Sequence, residues 1–168
     1  PYNWVYCSEA QALAKEMTPN NSYTSSLMFG IQWDLVCKYL EVKGKLAIAD
    51  INSNSTSWGN YSNVERTISS DKAKQGSSWT SITGTKPASS VLLTAGASDD
   101  TKKMNIYDFA GNEYEWTLEN TSSSIRPCAY RGGYYNSYSS SNPASRRDGD
   151  GTTNANFFIG FRPTLYVN

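Results

Sequence analysis

Hydrophobic and polar positions change their period twice along this chain. In "CSEAQALAKEM", residues 7–17, Leu13, Ala14 and Met17 recur at helical spacing, with Ser8 placed to cap the first turn and Glu9 near the positive end of the dipole. "MFGIQWDLVCKYLEVKG", residues 28–44, repeats the pattern through Ile31, Leu35, Tyr39 and Leu40, and Gly44 marks its end. Both predicted helices lie in the first quarter. From Ile51 to Lys103 the periodicity dissolves into Ser, Thr, Asn and Gly, interrupted by Trp58, Trp79 and an apolar "VLL" at 91–93. That stretch is too long for an ordinary loop, and its tryptophans call for burial, so it is expected to be irregular but packed.

Alternation then takes over. In "NIYDFAGNEYEWTLEN", residues 105–120, a turn at Gly111 and Asn112 precedes Tyr114, Trp116 and Leu118 on one strand face, with Glu113, Glu115 and Glu119 on the other. The closing "FFIGFRPTLYV", β-branched and aromatic, suits the last strand of an antiparallel sheet. Early helices and late strands predict an α+β class. The 168 residues suit one domain over residues 1–168, and a start at Pro1 instead of Met suggests a truncated chain or one preceded by another domain.

Composition narrows the chemistry. Acidic and basic residues number fifteen each, so no net field points to nucleic acid or an anionic membrane, and no apolar run approaches a membrane span. Histidine is absent, which removes the commonest general base and zinc ligand. Cys7, Cys37 and Cys128 show no metal-like spacing; their odd count leaves at least one unpaired, and a Cys7–Cys37 disulfide stays open. Glu113 and Glu115, about 7 Å apart by strand rise, match the separation of inverting glycosidase carboxylates. Such pairs normally come from different elements, and a solvated strand edge is the plainer expectation. "DGDG" at 148–151 departs from a calcium loop at Thr152, Thr153 and Ile159. A single "RGG" at 131–133 lacks the repeats of an RNA-binding tract, and Cys128 has no neighbouring activator in sequence. Nothing here requires a metal or cofactor.

Four ordered motifs, "QWD" at 32–34, "NIYDFAGNEYEW" at 105–116, "RGG" at 131–133 and "GFRP" at 160–163, resemble the formylglycine-generating-enzyme branch of the C-type lectin fold. The resemblance implies scaffold roles for Trp33, Asp108, Gly111, Asn112, Glu115, Trp116, Arg131, Gly132, Gly133, Gly160, Phe161 and Arg162. The oxidising enzymes of that family carry two catalytic cysteines shortly after the Gly-Gly, where this chain reads "YYNSYSSSN". The triplets of calcium-dependent sugar-binding lectins are absent too. No catalytic residue is therefore expected.

The chain further resembles the variable proteins of diversity-generating retroelements, whose last segment is rewritten by adenine-specific mutagenesis. Asn codons changed only at adenines never yield Lys, Glu, Gln, Trp or Met. Residues 1–119 hold 27 of these five types and residues 120–168 hold none, where about eleven would fall at the earlier density. Turn-forming residues alone account for Ser, Gly and Asn, but not for the loss of Lys and Glu beside added aromatics. The expected variable, ligand-contacting positions within 120–168 are Tyr134, Asn136, Ser137, Tyr138, Ser140, Ser141, Asn142, Arg147, Asp148, Gly149, Asp150, Gly151, Phe157 and Phe158. Pro143 and Ala144 are expected to stay constant. Tyr adds rigid amphipathic area and Ser, Gly and Asn add adaptable hydrogen bonds, the vocabulary of antibody loops.

The resemblance implies a non-catalytic display domain on a virion tail or fibre tip or a cell surface, facing a protein or glycan receptor, with no cofactor, nucleic acid or membrane insertion. The alternatives are an enzyme of the same family with a non-cysteine site, which would gather carboxylates or thiols in a cleft, and a structural decoration module.

Overall fold

Helices α1 (Cys7–Glu16) and α2 (Gly30–Val42) form where the periodicity places them, in a computed structural model that describes residues 2–17, 22–69, 74–75 and 80–167. Their buried faces differ from the expected ones. Helix α1 buries Cys7, Ala10 and Ala14, while Leu13 is half-buried and Met17 exposed. Ser8 is not the cap: the helix already begins at Cys7, and the Glu9 carboxylate accepts the Tyr6 N–H at 2.8 Å.

Helix α2 carries two apolar stripes, and the indole decides between them. Trp33 stacks on Phe109 with centroids 4.0 Å apart, turning Leu40, Val36 and Cys37 inward. Ile31 and Leu35, expected inside, are left 66% and 60% exposed, and Tyr39 is exposed beside them. Lys43 and Gly44 end the helix by donating their N–H groups to the Tyr39 carbonyl. A short helix α3 (Ile48–Asn52) follows, which the periodicity did not signal.

Strand β1 (Tyr23–Leu27), also unexpected, pairs antiparallel with β6 (Pro163–Val167), so the early and late parts of the chain close on each other. Strands β2 (Tyr114–Asn120), β3 (Cys128–Arg131), β4 (Arg147–Asp150) and β5 (Ile159–Phe161) form one sheet in the order β4-β3-β2-β5. The closing aromatic run is therefore two strands. Its first half joins β2 in parallel and its second half joins β1. The break falls at Arg162, whose side chain turns to Glu115, ahead of Pro163, which has no N–H for a ladder. Three helices and these sheets make the described residues an α+β protein.

One core lies beneath α2, with Trp33, Leu40, Trp58, Tyr61 and Phe109; a second joins α1 to the sheet through Val5, Ala14, Leu27, Trp116 and Ile159. The irregular stretch feeds the first core through Trp58 and builds a small third one from Ile82, Leu93 and Ala97. Trp79 lies outside the described residues. All three cysteines are free: Cys37 packs in the first core, while Cys7 in the second neighbours Cys128, so no Cys7–Cys37 bond forms. Among the described residues no helix is long and apolar enough to cross a membrane.

Candidate functional site

The turn before β2 uses three left-handed residues, Asp108 at φ 51°, Gly111 at φ 72° and Asn112 at φ 63°. Side-chain hydrogen bonds offset that cost. The Asp108 carboxylate accepts from the Gly96 N–H and the Thr101 hydroxyl, each at 2.7 Å; burial raises its pKa, and these two bonds oppose the rise. The Asn112 amide accepts from Asn60 Nδ2 at 2.9 Å and the Leu93 N–H at 3.1 Å, and donates to the Leu93 carbonyl. At Gly111 any side chain would run into the Asn60 backbone.

Further along, Trp116 Nε1 donates to the Val5 carbonyl at 3.1 Å. Arg162 meets both oxygens of buried Glu115, at 2.9 and 2.8 Å, and also the Tyr107 carbonyl. Buried Arg131 reaches Asp34 on α2 and the Ser145 carbonyl, with Glu119 3.8 Å away. Burial pulls its pKa down to about 10, so it stays charged at neutral pH. Gly132 lies against the Trp33 ring, Gly133 against the Asn142 carbonyl, and Gly160 against Glu113. Phe161 is half-buried, edge-on to Tyr2.

Between Gly133 and Arg147 the chain makes no long regular element, yet its backbone is tied from outside. The Tyr135 N–H donates to the Asn112 carbonyl at 3.0 Å, and the Ser137 carbonyl accepts from the Ser62 N–H and hydroxyl. Tyr61 Oη donates to the Asn142 carbonyl at 2.9 Å, Trp33 Nε1 to the Ala144 carbonyl at 3.0 Å, and the Ser145 N–H to the Ile51 carbonyl. Ser139 is fully buried with its hydroxyl on the Ser55 N–H. Pro143 and Ala144 are buried.

Within this frame Asn136, Tyr138, Ser140 and Ser141 stand exposed. Two residues expected to face a ligand do not. Ser137 is buried and returns its hydroxyl to the Tyr134 carbonyl, and half-buried Asn142 accepts the Tyr114 hydroxyl on its amide oxygen. Tyr134 is half-buried against Tyr114, 5.0 Å between centroids.

In the second part of the segment, Arg147 is exposed and paired with Glu119, and half-buried Asp148 accepts from Arg146. Gly149 is buried, and a Cβ there would lie 2.7 Å from the Arg126 carbonyl, so this position holds no contact side chain. Asp150 accepts from Asn154 at 2.6 Å and Asn156 at 2.9 Å, bracing the loop that opens at half-buried Gly151. Rings then run outward from the core: Tyr134 to half-buried Phe158 at 4.9 Å, Phe158 to exposed Phe157 at 4.9 Å, and Phe157 to Trp4 at 6.2 Å.

Trp4, 63% exposed and left-handed at φ 58°, was missed in the sequence. With Tyr6, Asn154 and Asn156 it walls a cavity of about 560 Å³ beside Asp150. No local pattern signals this, because the pairing of Trp4 with Phe157 and of its N–H with the Asn156 carbonyl spans the whole chain.

A separate cleft of about 260 Å³ collects Asp108, Glu113 and Glu115 with Tyr2, Tyr107, Phe161 and Arg162. The expected solvated strand edge is thus buried, Glu113 at 7% and Glu115 at 8% exposure. Both Glu115 oxygens serve Arg162, which leaves Glu113 as the open acid. Burial pushes the Glu113 pKa up to about 7, opposed by the Asn3 amide that donates to it at 2.6 Å. Among the described residues no group of three candidate donors is placed to hold a metal ion.

No family model matches the chain, and no curated protein sequence does. Among solved structures, the crystal structure of CarF matches with a TM-score of 0.58 at 16% identity, over 90% of this chain and 49% of that one. The chain shares its fold with CarF. It spans about half of CarF's length, and at this identity the likeness concerns the fold alone.

Proposed function

We propose that the protein is a non-catalytic ligand-binding display domain of the C-type lectin fold, formylglycine-generating-enzyme branch, whose last segment is diversified by a retroelement. It works outside the cell, at a virion tip or on a cell surface, against a protein or glycan receptor. The observation that carries this reading is the division of labour in residues 134–147. Bonds from Ile51, Tyr61, Ser62 and Asn112 hold the backbone, while Asn136, Tyr138, Ser140, Ser141 and Arg147 project from it. Side chains on a backbone fixed elsewhere can change without repacking a core, and exposed Tyr is an effective anchor at interfaces. Phe157 extends the same face; Ser137, Asn142 and Gly149 belong to its support.

The test lies in the DNA around the coding region. A near-copy of the 3′ end is expected, differing only where the copy has adenine, with differences concentrated in the codons of the exposed positions. Differences spread over all four template bases would remove the diversification claim.

A further inference from the structure

The acidic cleft is separate from the loop face, and none of its lining residues belongs to the positions expected to vary. Tyr2 and Phe161 form two of its walls, with ring centroids 6.2 Å apart and planes at 80°. Tyr107 adds a third ring, one that already takes a cation: Lys102 Nζ lies 5.3 Å from its centroid. Gly160 packs against two of the lining residues, since a Cβ there would lie 2.8 Å from Glu113 Oε2 and 2.9 Å from the Tyr2 carbonyl.

Charge selects the occupant. Three carboxylates face one guanidinium; Glu115 and Arg162 neutralise each other, and Asp108 is committed to Gly96 and Thr101. Glu113 remains, with Asn3 on Oε1 and the amino-terminal charge acting on it, but no side-chain ion-pair partner among the described residues. An anion would be repelled by the carboxylates, a neutral apolar guest would draw no electrostatic gain from Glu113, and among the described residues no three-donor group is placed to hold a metal ion. A cation with an apolar surface satisfies rings and carboxylate together.

We propose that this cleft binds an alkylammonium group, as carried by a choline headgroup or a methylated lysine, with Tyr2, Tyr107 and Phe161 around the cation and Glu113 as its counter-charge. The proposal stands on the cleft and is independent of the display reading.

Choline chloride titrated calorimetrically into the chain, against the uncharged isostere 3,3-dimethylbutan-1-ol, tests it. Choline is expected to bind at least about ten-fold tighter than the alcohol. Glu113→Gln should erase most of that preference, and Tyr2→Ala, which removes an exposed ring without touching the core, should weaken both ligands. Equal binding of choline and alcohol would make this a plain apolar cavity and overturn the proposal, as would choline binding indifferent to both variants or none at about 100 mM. Trimethyl-lysine peptide and phosphatidylcholine vesicles, run in parallel, then tell the two sources apart: the one that binds with the same dependence on Glu113 is the source.

Discussion

The loop over residues 134–146 and the turn-and-strand over residues 108–116 are both held in place by hydrogen bonds, but the first leans more on its backbone and the second on its side chains. In the loop, backbone carbonyls and N–H groups of Tyr135, Ser137, Asn142, Ala144 and Ser145 take most of the bonds, the side chains of Asn136, Ser139 and Asn142 add others, and Tyr138, Ser140 and Ser141 stand outward with no side-chain bond among the described residues. In the turn and strand, the side chains of Asp108, Asn112 and Glu115 take them. Backbone-held residues tolerate substitution and side-chain-held residues do not, because only the latter leave a buried partner unsatisfied when changed. This contrast explains how one surface can vary beside a scaffold that cannot.

The sharpest way to break the contrast is Arg162→Ala. Glu115 would keep its carboxylate at 8% exposure with both charge-assisted bonds gone, a loss of about 3–5 kcal/mol. Urea unfolding at neutral pH measures it. A change below about 1 kcal/mol would mean that the strand does not depend on its side chains.

A smaller effect of opposite sign is expected at Glu113. Its folded pKa of about 7 lies above its ordinary 4.5, so the folded state holds the proton more tightly. Its contribution is therefore most favourable below about pH 4.5, declines as pH rises to 7, and reaches a penalty of about 3 kcal/mol above that. Glu113→Gln keeps the acceptor for Asn3 and removes the charge. The variant should be more stable than the parent by about 2–3 kcal/mol at pH 8 and nearly equal to it at pH 4. Asp108, Glu115 and Arg162 line the same cleft in both proteins, so the difference curve reports Glu113 together with its coupling to them. A variant less stable at pH 8 would show that the carboxylate is needed where it is.

How far these features were legible follows from the range of each interaction. Helices α1 and α2 and strand β2 announce themselves because their periods are local. The phase of α2 does not, since Ile31, Leu35 and Tyr39 are as apolar as Val36, Cys37 and Leu40, and only the distant Phe109 ring settles which stripe goes inside. Strand β1 escaped because "YTSSL" has little alternation of its own and gains its identity from Pro163–Val167. Exposed Asn136, Tyr138, Ser140 and Ser141 were visible through composition, as residues that no core requires. Trp4 joining the rings, Gly149 refusing a side chain and Glu113 entering a cleft all depend on contacts between remote segments.

The smallest effects test the loop itself. Tyr61→Phe removes one bond to its backbone, leaving the Asn142 carbonyl without the hydroxyl 2.9 Å away, and should cost about 1 kcal/mol. Tyr138→Ser, Ser140→Tyr and Ser141→Asn change exposed side chains only, and each should stay within about 0.5 kcal/mol of the parent. Combined, the three sit close enough to touch one another, so their sum can depart from additivity by a few tenths of a kcal/mol. Thermal unfolding of the triple variant against Tyr61→Phe therefore decides whether the loop is held from beneath. If three outward changes cost more than the single inward bond, the exposed side chains are themselves part of what orders the loop, and its backbone is not fixed by residues 51–62.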